Sequence, residues 1–418
     1  MKHLSAALAG LTMLTTAFAG PAVAQTTLTM WQYGGCDDNC LNQQLIDAFE
    51  ASNPDIKIEL VPQPGDSYFQ ALLAASLTSS GPDIATMWPG GYMTPYKPYM
   101  TDLHQYIPAE NISSSIGTDY FSEDNNSDNV LYASPHENQW YNGFYNKKLF
   151  ADNGVSVPTT WDELKAACEK FKAAGITCII NGSSDAQFNP VLEFTYLATA
   201  VPLSDWGKLY NGELKYNNPA LVAQLQKWQD LYTAGYLNSD ALNNPNVMED
   251  FIAGKAAMMM TAGSWNIPEL QAGMGDNVGV LIPPYSDTPI KSVSSTAGQG
   301  IVVTTYGQHK DEAGKFAAWI LSDEGQTALG KLSAPTRPGF MASNNLINEL
   351  AEKSSAEGVI NVPMFDNFTQ PGVTDALYRN VALVLINQMT PTDALAAVDA
   401  AFDALPPEQK QVHINLGQ

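Results

Sequence analysis

Flat rings recur beside hydrogen-bonding side chains along this sequence. Trp31 and Tyr33 flank Gln32. Trp88 is separated from Tyr92 by Pro89-Gly90-Gly91. Trp140 and Tyr141 follow Glu137, Asn138 and Gln139, and Trp265 precedes Asn266. The face of a ring covers apolar C–H surface on a bound molecule, while amide and carboxyl groups at its edge take up hydroxyls. Such a set supports non-covalent capture of a hydroxyl-rich solute. A ring also fills a core well, so the reading rests on recurrence near strand ends, where open α/β sheets receive ligands.

Catalytic signatures do not compete with it. The sequence contains no G-x-S-x-G, no phosphate-binding P-loop, no H-E-x-x-H and no EF-hand loop. Among His3, His104, His136, His309 and His413, only His136 stands directly beside a carboxylate, Glu137. With 43 acidic residues, two carboxylates for glycoside hydrolysis can always be nominated, so their presence identifies nothing. A secreted hydrolase using Glu137 and a second acid stays as an alternative. No metal-ligand or cofactor motif occurs. Cys36 and Cys40 form one local pair, and Cys168 and Cys178 another. An oxidising compartment favours two disulfides, with free buried thiols as the other reading.

These groups need elements to hold them. Lys2, the apolar stretch Leu4 to Phe18 and the small-residue site Ala22-Val23-Ala24 read as a signal peptide over 1–24, giving an exported, periplasmic product. Formal net charge is −23, which disfavours nucleic acid and anionic lipid as partners. Thr27–Tyr33 alternates as a strand. Leu41, Leu45, Ile46 and Phe49 share a helix face. A strand at Ile56–Val61, a helix at Tyr68–Leu77 and a strand at Asp83–Met87 follow. The rhythm restarts at Thr160-Trp161, where Thr160 and Glu163 form a capping box and Gly175 ends the helix before a strand at Ile176–Ile180. The fold class is α/β, with mixed sheets flanked by helices.

The segments "SLTSSGPDI", "GFYNKKLFADNGVSVPTTWDELKAACEKF", "FIAGKAAMMMTAGSW", "NVGVLIPP" and "AWILSDEGQTAL" occur in that order. Together they resemble the extracellular solute-binding proteins of ATP-binding-cassette importers, in the carbohydrate group that includes maltose-binding proteins. The resemblance implies two lobes closing on a ligand by hinge motion. It implies an amino-terminal lobe of 25–137 plus about 298–335 and a carboxy-terminal lobe of 138–297 plus about 336–418. It also implies a carbohydrate ligand, a membrane permease as partner, a monomer and no catalysis. By the same resemblance Trp31, Trp88 and Trp265 stack on ligand, Gln139 is a polar contact flanked by Glu137, Asn138 and Trp140, and Gln299 and Arg337 sit at later crossings. Tyr33, Tyr68, His136 and Gln187 join the candidates from loop position and chemistry. Members that bind maltose have an acid and a lysine soon after the first-strand tryptophan. Gly35-Cys36 stands there, which points away from maltodextrin. The remaining alternative is a cationic solute in an aromatic cage, against which an arginine at position 337 inside the cleft would speak.

Overall fold

The computed structural model describes residues 25–36, 40–125, 128–182, 200–285, 287, 289 and 291–410. The segment 1–24 and Gln187 lie outside the described residues.

The first sheet begins with β1 (Thr26–Tyr33), β2 (Ile56–Gln63) and β3 (Ile84–Met87), all parallel. Between them run α1 (Leu41–Ser52) and α2 (Gly65–Leu77). Helix α1 buries Leu45, Ile46 and Phe49, the stripe expected from its apolar spacing. Asp83 ties β1 to β3: its carboxylate accepts from Thr29 N at 3.0 Å, and its own amide donates to Thr29 O at 3.0 Å. Two strands distant in sequence, β4 (Ser134–Pro135) and β10 (Gly300–Val303), complete the sheet in the order β2-β1-β3-β10-β4. Strand β10 is antiparallel to both neighbours.

The second sheet is built around β5 (Asn138–Asn146). Strand β7 (Ala256–Gly263) pairs along one edge of β5. Strand β9 (Ser292–Ala297) and then β8 (Val278–Leu281) pair along the other, all antiparallel. Strands β6 (Thr177–Ile180) and β11 (Ile360–Val362) extend it to the order β11-β9-β5-β7-β6. Every residue of β7 is buried, as its unbroken apolar run requires when both faces are covered. Among its helices are α3 (Trp161–Ala173), α4 (Pro219–Thr233) and α5 (Pro371–Leu385). Thr160 Oγ1 accepts from Glu163 N at 3.2 Å, as expected of the cap. The Glu163 carboxylate instead takes the Thr159 amide at 2.7 Å, one residue earlier than a capping box predicts.

Two hydrophobic cores result. One gathers Leu28, Met30, Ile58, Ile84, Phe316 and Ile320; the other gathers Phe144, Leu164, Met258, Val280 and Leu377. Membership changes between Ala133 and Trp140, between Val293 and Ala297, and between Leu329 and Ala334. Among the described residues no helix is long and apolar enough to cross a membrane.

Both cysteine pairs are disulfides. Cys36–Cys40 clips the end of β1 to the residue preceding α1. Cys168–Cys178 joins α3 to β6 inside the second core, with both residues buried. A loop of this length restricts the unfolded chain modestly. Replacing Cys168 and Cys178 together by alanine should lower unfolding free energy by about 2–3 kcal/mol. Urea denaturation checks this, and an unchanged midpoint would contradict it.

Candidate functional site

Strand β4 leaves the first sheet at Pro135 and β5 enters the second at Asn138. Beside them and antiparallel, β9 ends at Ala297 and β10 starts at Gly300. The pairs Pro135↔Gly300 and Asn138↔Ala297 bracket the passage on either side. His136-Glu137 therefore lies opposite Gly298-Gln299. His136 N donates to Gln299 O at 3.2 Å, and the imidazole Nδ1 lies 3.1 Å from the same oxygen. Burial pushes the His136 pKa down, against the opposing pull of Glu137.

A third pass of chain lies against this ribbon, with Asn138 N donating to Ala334 O at 3.0 Å. The Glu137 carboxylate clamps the passes together. It accepts from Gln139 Nε2 at 2.5 Å and from Ser333 Oγ at 2.6 Å. A β-carbon on Gly298 would lie 1.5 Å from Gln139 Oε1, so only glycine lets that amide lie flat on the neighbouring strand. Glu137 and Gln139 are engaged with the hinge itself, a use that loop chemistry alone did not reveal.

Successive residues of a strand point to opposite sides. On one side of β5, the Tyr141 hydroxyl donates to Asp366 Oδ1 at 2.8 Å, and its ring meets Trp265 edge-on at 5.7 Å. On the other side, Trp140 and Asn138 border a separate cavity of about 580 Å³, together with Tyr120, Arg337, Phe340 and Met341. Arg337 donates to Asp323 Oδ1 at 2.7 Å, Leu321 O at 3.0 Å and Ser114 Oγ at 3.2 Å. Its guanidinium lies over the Phe340 ring at 5.4 Å, on the cavity side of β5 and opposite Tyr141.

On the first sheet the rings form one continuous group. Tyr33 meets Trp88 at 4.6 Å and Phe69 at 6.0 Å, and Trp88 meets Tyr92 at 4.9 Å. Trp31 shares Tyr33's face of β1 and is half-buried. Tyr68 packs against Tyr33 but is fully buried, and its hydroxyl donates to Thr86 O at 2.7 Å. It belongs to the lobe's core rather than to an accessible wall.

Tyr92 lies beside Thr374 of α5, a helix packed on the second core. Gly90 and Gly91 lie directly on the backbone of 367–370. A β-carbon on Gly91 would sit 2.7 Å from Thr369 O. Rings from both sheets therefore face one another across the hinge: Tyr33, Phe69, Trp88 and Tyr92 on one side, Tyr141, Trp265 and Tyr378 on the other.

Asp366 stands at the second wall, only 8% exposed. Tyr378 donates to its Oδ2 at 3.5 Å, opposite the Tyr141 bond. Burial pushes its pKa up to about 6, against the hydrogen bonds it accepts. Among the described residues no lysine, arginine or histidine pairs with it. Sequence reasoning missed Asp366 and Tyr378. Both lie in the helical carboxy-terminal third, where no strand end marked them. Of the nominated residues, Tyr33 and Trp88 touch in the first wall, with Trp31 on the same strand face as Tyr33, and Trp265 stands in the second beside Tyr141. His136, Glu137, Gln139 and Gln299 form the hinge, and Asn138, Trp140 and Arg337 face the reverse cavity.

Residues 42–327 match the family model described as bacterial extracellular solute-binding protein. The sn-glycerol-3-phosphate-binding periplasmic protein UgpB of Salmonella paratyphi A is 26% identical over 333 residues, 74% of this chain and 72% of that protein. Two solved structures share the fold. The GacH receptor of Streptomyces glaucescens GLA.O, solved unliganded and with acarbose, has a TM-score of 0.73 at 21% identity, covering 90% of this chain and 97% of that one. The bacterial solute receptor AcbH, described as exclusively preferring β-D-galactopyranose, has a TM-score of 0.76 at 16% identity, covering 90% and 98%.

The charge on Asp366 carries a stability consequence with a definite sign. Its native pKa of about 6 lies above the ordinary 3.8, so folding favours the protonated form. The stabilisation is complete below pH 4 and is lost as pH rises through 6. Asp366→Asn should therefore raise the melting temperature of the ligand-free protein at pH 7.5, and the gain should shrink at pH 5. A gain of equal size at both values would contradict the assignment.

Proposed function

The chain belongs to the bacterial extracellular solute-binding proteins, and on that premise we propose that it captures a mono- or oligosaccharide between two lobes and releases it intact to the permease of an ABC importer. The observation that carries this reading is the facing of aromatic walls from two sheets across a hinge of crossing strands. Rings cover the apolar faces of a pyranose, and the carboxyl, hydroxyl and amide groups at their edges satisfy its hydroxyls, which cannot be buried unpaired. We take the lobes to be 25–137 plus about 298–335 and 138–297 plus about 336–418. The protein acts after export, as a monomer, and alters no bond in its ligand.

Two kinds of relative pull in different directions. UgpB is named for a phosphorylated polyol, whereas GacH and AcbH are described with sugars. The buried Asp366 carboxylate favours the sugar class, because an anionic phosphate beside it would meet like charge in a low-dielectric site.

Closure is part of the mechanism. The contact of Gly90-Gly91 with 367–370 forms only when the lobes come together, and it seals the rings from water. Gly91 lies outside the left-handed backbone region, so an alanine there leaves the first lobe unstrained and obstructs only the closed contact. Gly91→Ala should weaken sugar binding at least fivefold and enlarge the ligand-bound radius of gyration in small-angle scattering, with little change in ligand-free melting. Unaltered affinity would remove this contact from the closing mechanism.

The reading itself is tested by a thermal-shift screen against neutral, amino and phosphorylated sugars, since a ligand that prefers the native state raises the melting point. Trp265→Ala should weaken the best ligand by roughly 1–3 kcal/mol in calorimetric titration. A folded Trp265→Ala protein with wild-type affinity would take that ring out of the site.

A further inference from the structure

Resting on the sugar-capture reading, we propose that the cleft selects a solute carrying a protonated amine beside its hydroxyls, with Asp366 as the counter-charge and the surrounding rings as the cage.

Asp366 has the environment of a buried anion awaiting a cation. It is nearly enclosed, and its carboxylate accepts from the neutral hydroxyls of Tyr141 and Tyr378 and from the backbone amides of 366 and 367. Such neutral donors stabilise a carboxylate less than an ion pair does. An ionised group in that position is costly unless a positive charge reaches it. The protein supplies none among the described residues. Arg337, the cation nominated from sequence, is held by Asp323 and Leu321 O on the reverse side of the hinge. The stretch 183–199 contains no lysine, arginine or histidine. On α5 the remaining charges are Asp375 and Arg379, four residues apart and both exposed.

The walls around Asp366 suit the same ligand. Electron-rich ring faces attract an ammonium group, and the attraction grows as water leaves. Tyr92 is close enough to Asp366 for the carboxylate to raise its pKa, and Tyr33 and Tyr92 act likewise on Tyr378. The anion therefore lies within the field of rings from both lobes. An amine docked there would be held by the carboxylate from the second lobe and by ring faces from the first, so its charge would favour closure. The same arrangement disfavours a phosphate. The high cost of leaving Asp366 unpaired in the empty protein is the kind of local conflict expected where a site is kept for function.

The experiment is calorimetric titration of the purified exported protein at pH 7.5 with matched probes. The amine arm is glucosamine, galactosamine and chitosan dimer to tetramer. The neutral arm is glucose, galactose and cello-oligomers of equal length, and the anionic arm is glucose 6-phosphate and sn-glycerol 3-phosphate. The expected result is at least tenfold tighter binding of the best amine probe than of its neutral counterpart, with no binding in the anionic arm. In Asp366→Asn that ratio should fall to about one. Neutral probes binding as tightly as amine probes to the wild-type protein would overturn the amine selection while leaving sugar capture standing. Tight binding of an anionic probe would also overturn it. No binding in any arm would overturn both. The wild-type comparison decides the matter even if the variant does not fold.

Discussion

Two antiparallel strands passing together from one sheet into another constrain everything else in this molecule. Because β4–β5 and β9–β10 cross as a paired ribbon, the two cores cannot separate, yet only a few residues join them at the crossing. Such a joint resists sliding and permits bending about its own axis. Its hydrogen bonds must survive the bend, so the polar groups there are engaged with one another. Glu137 holds Gln139 and Ser333, and the Gln299 carbonyl takes up His136. A ribbon also has two faces. Tyr141 and Trp140, neighbours in sequence, are delivered to opposite sides: Tyr141 to Trp265 and Asp366, and Trp140 to the cavity bordered by Tyr120 and Phe340.

The distribution of polarity around the Tyr141 side has a physical logic. A captor of a polar solute must exclude water without leaving buried groups unpaired. The ring walls perform the exclusion. One carboxylate, Asp366, is enclosed among them without a counter-charge among the described residues, and burial raises its pKa to about 6 against the hydrogen bonds it accepts. Elsewhere the balance is ordinary: continuous apolar cores, capped helices, and two disulfides suited to an oxidising compartment.

Much of the fold was legible because its signals are local. The apolar stripe of α1, the Thr160 cap, the terminating Gly175 and the alternation of β1 each report how one segment meets its immediate surroundings. The pairing of Cys168 with Cys178 was legible for the same reason, since a helix and the strand that follows it pack together. Less was legible where pairing is distant. Strand β9, rich in Ser and Thr, carries no alternating apolar signal of its own and is fixed by its pairing with β5 and β11. Tyr68 looked like a site residue because it follows a strand, but the helix α2 turns its ring inward.

The sequence by itself determined the α/β alternation, the cysteine pairing and the family, and it marked the rings at strand ends as the material of a binding wall. Only the tertiary structure decided which rings share a wall, that Arg337 belongs to the reverse side, and that Asp366 lies among the aromatics. The reason is separation along the chain. Tyr141 and Asp366 are 225 residues apart, and no periodicity or spacing within either segment encodes their meeting. It follows from how two sheets share a hinge, which is a property of the folded whole.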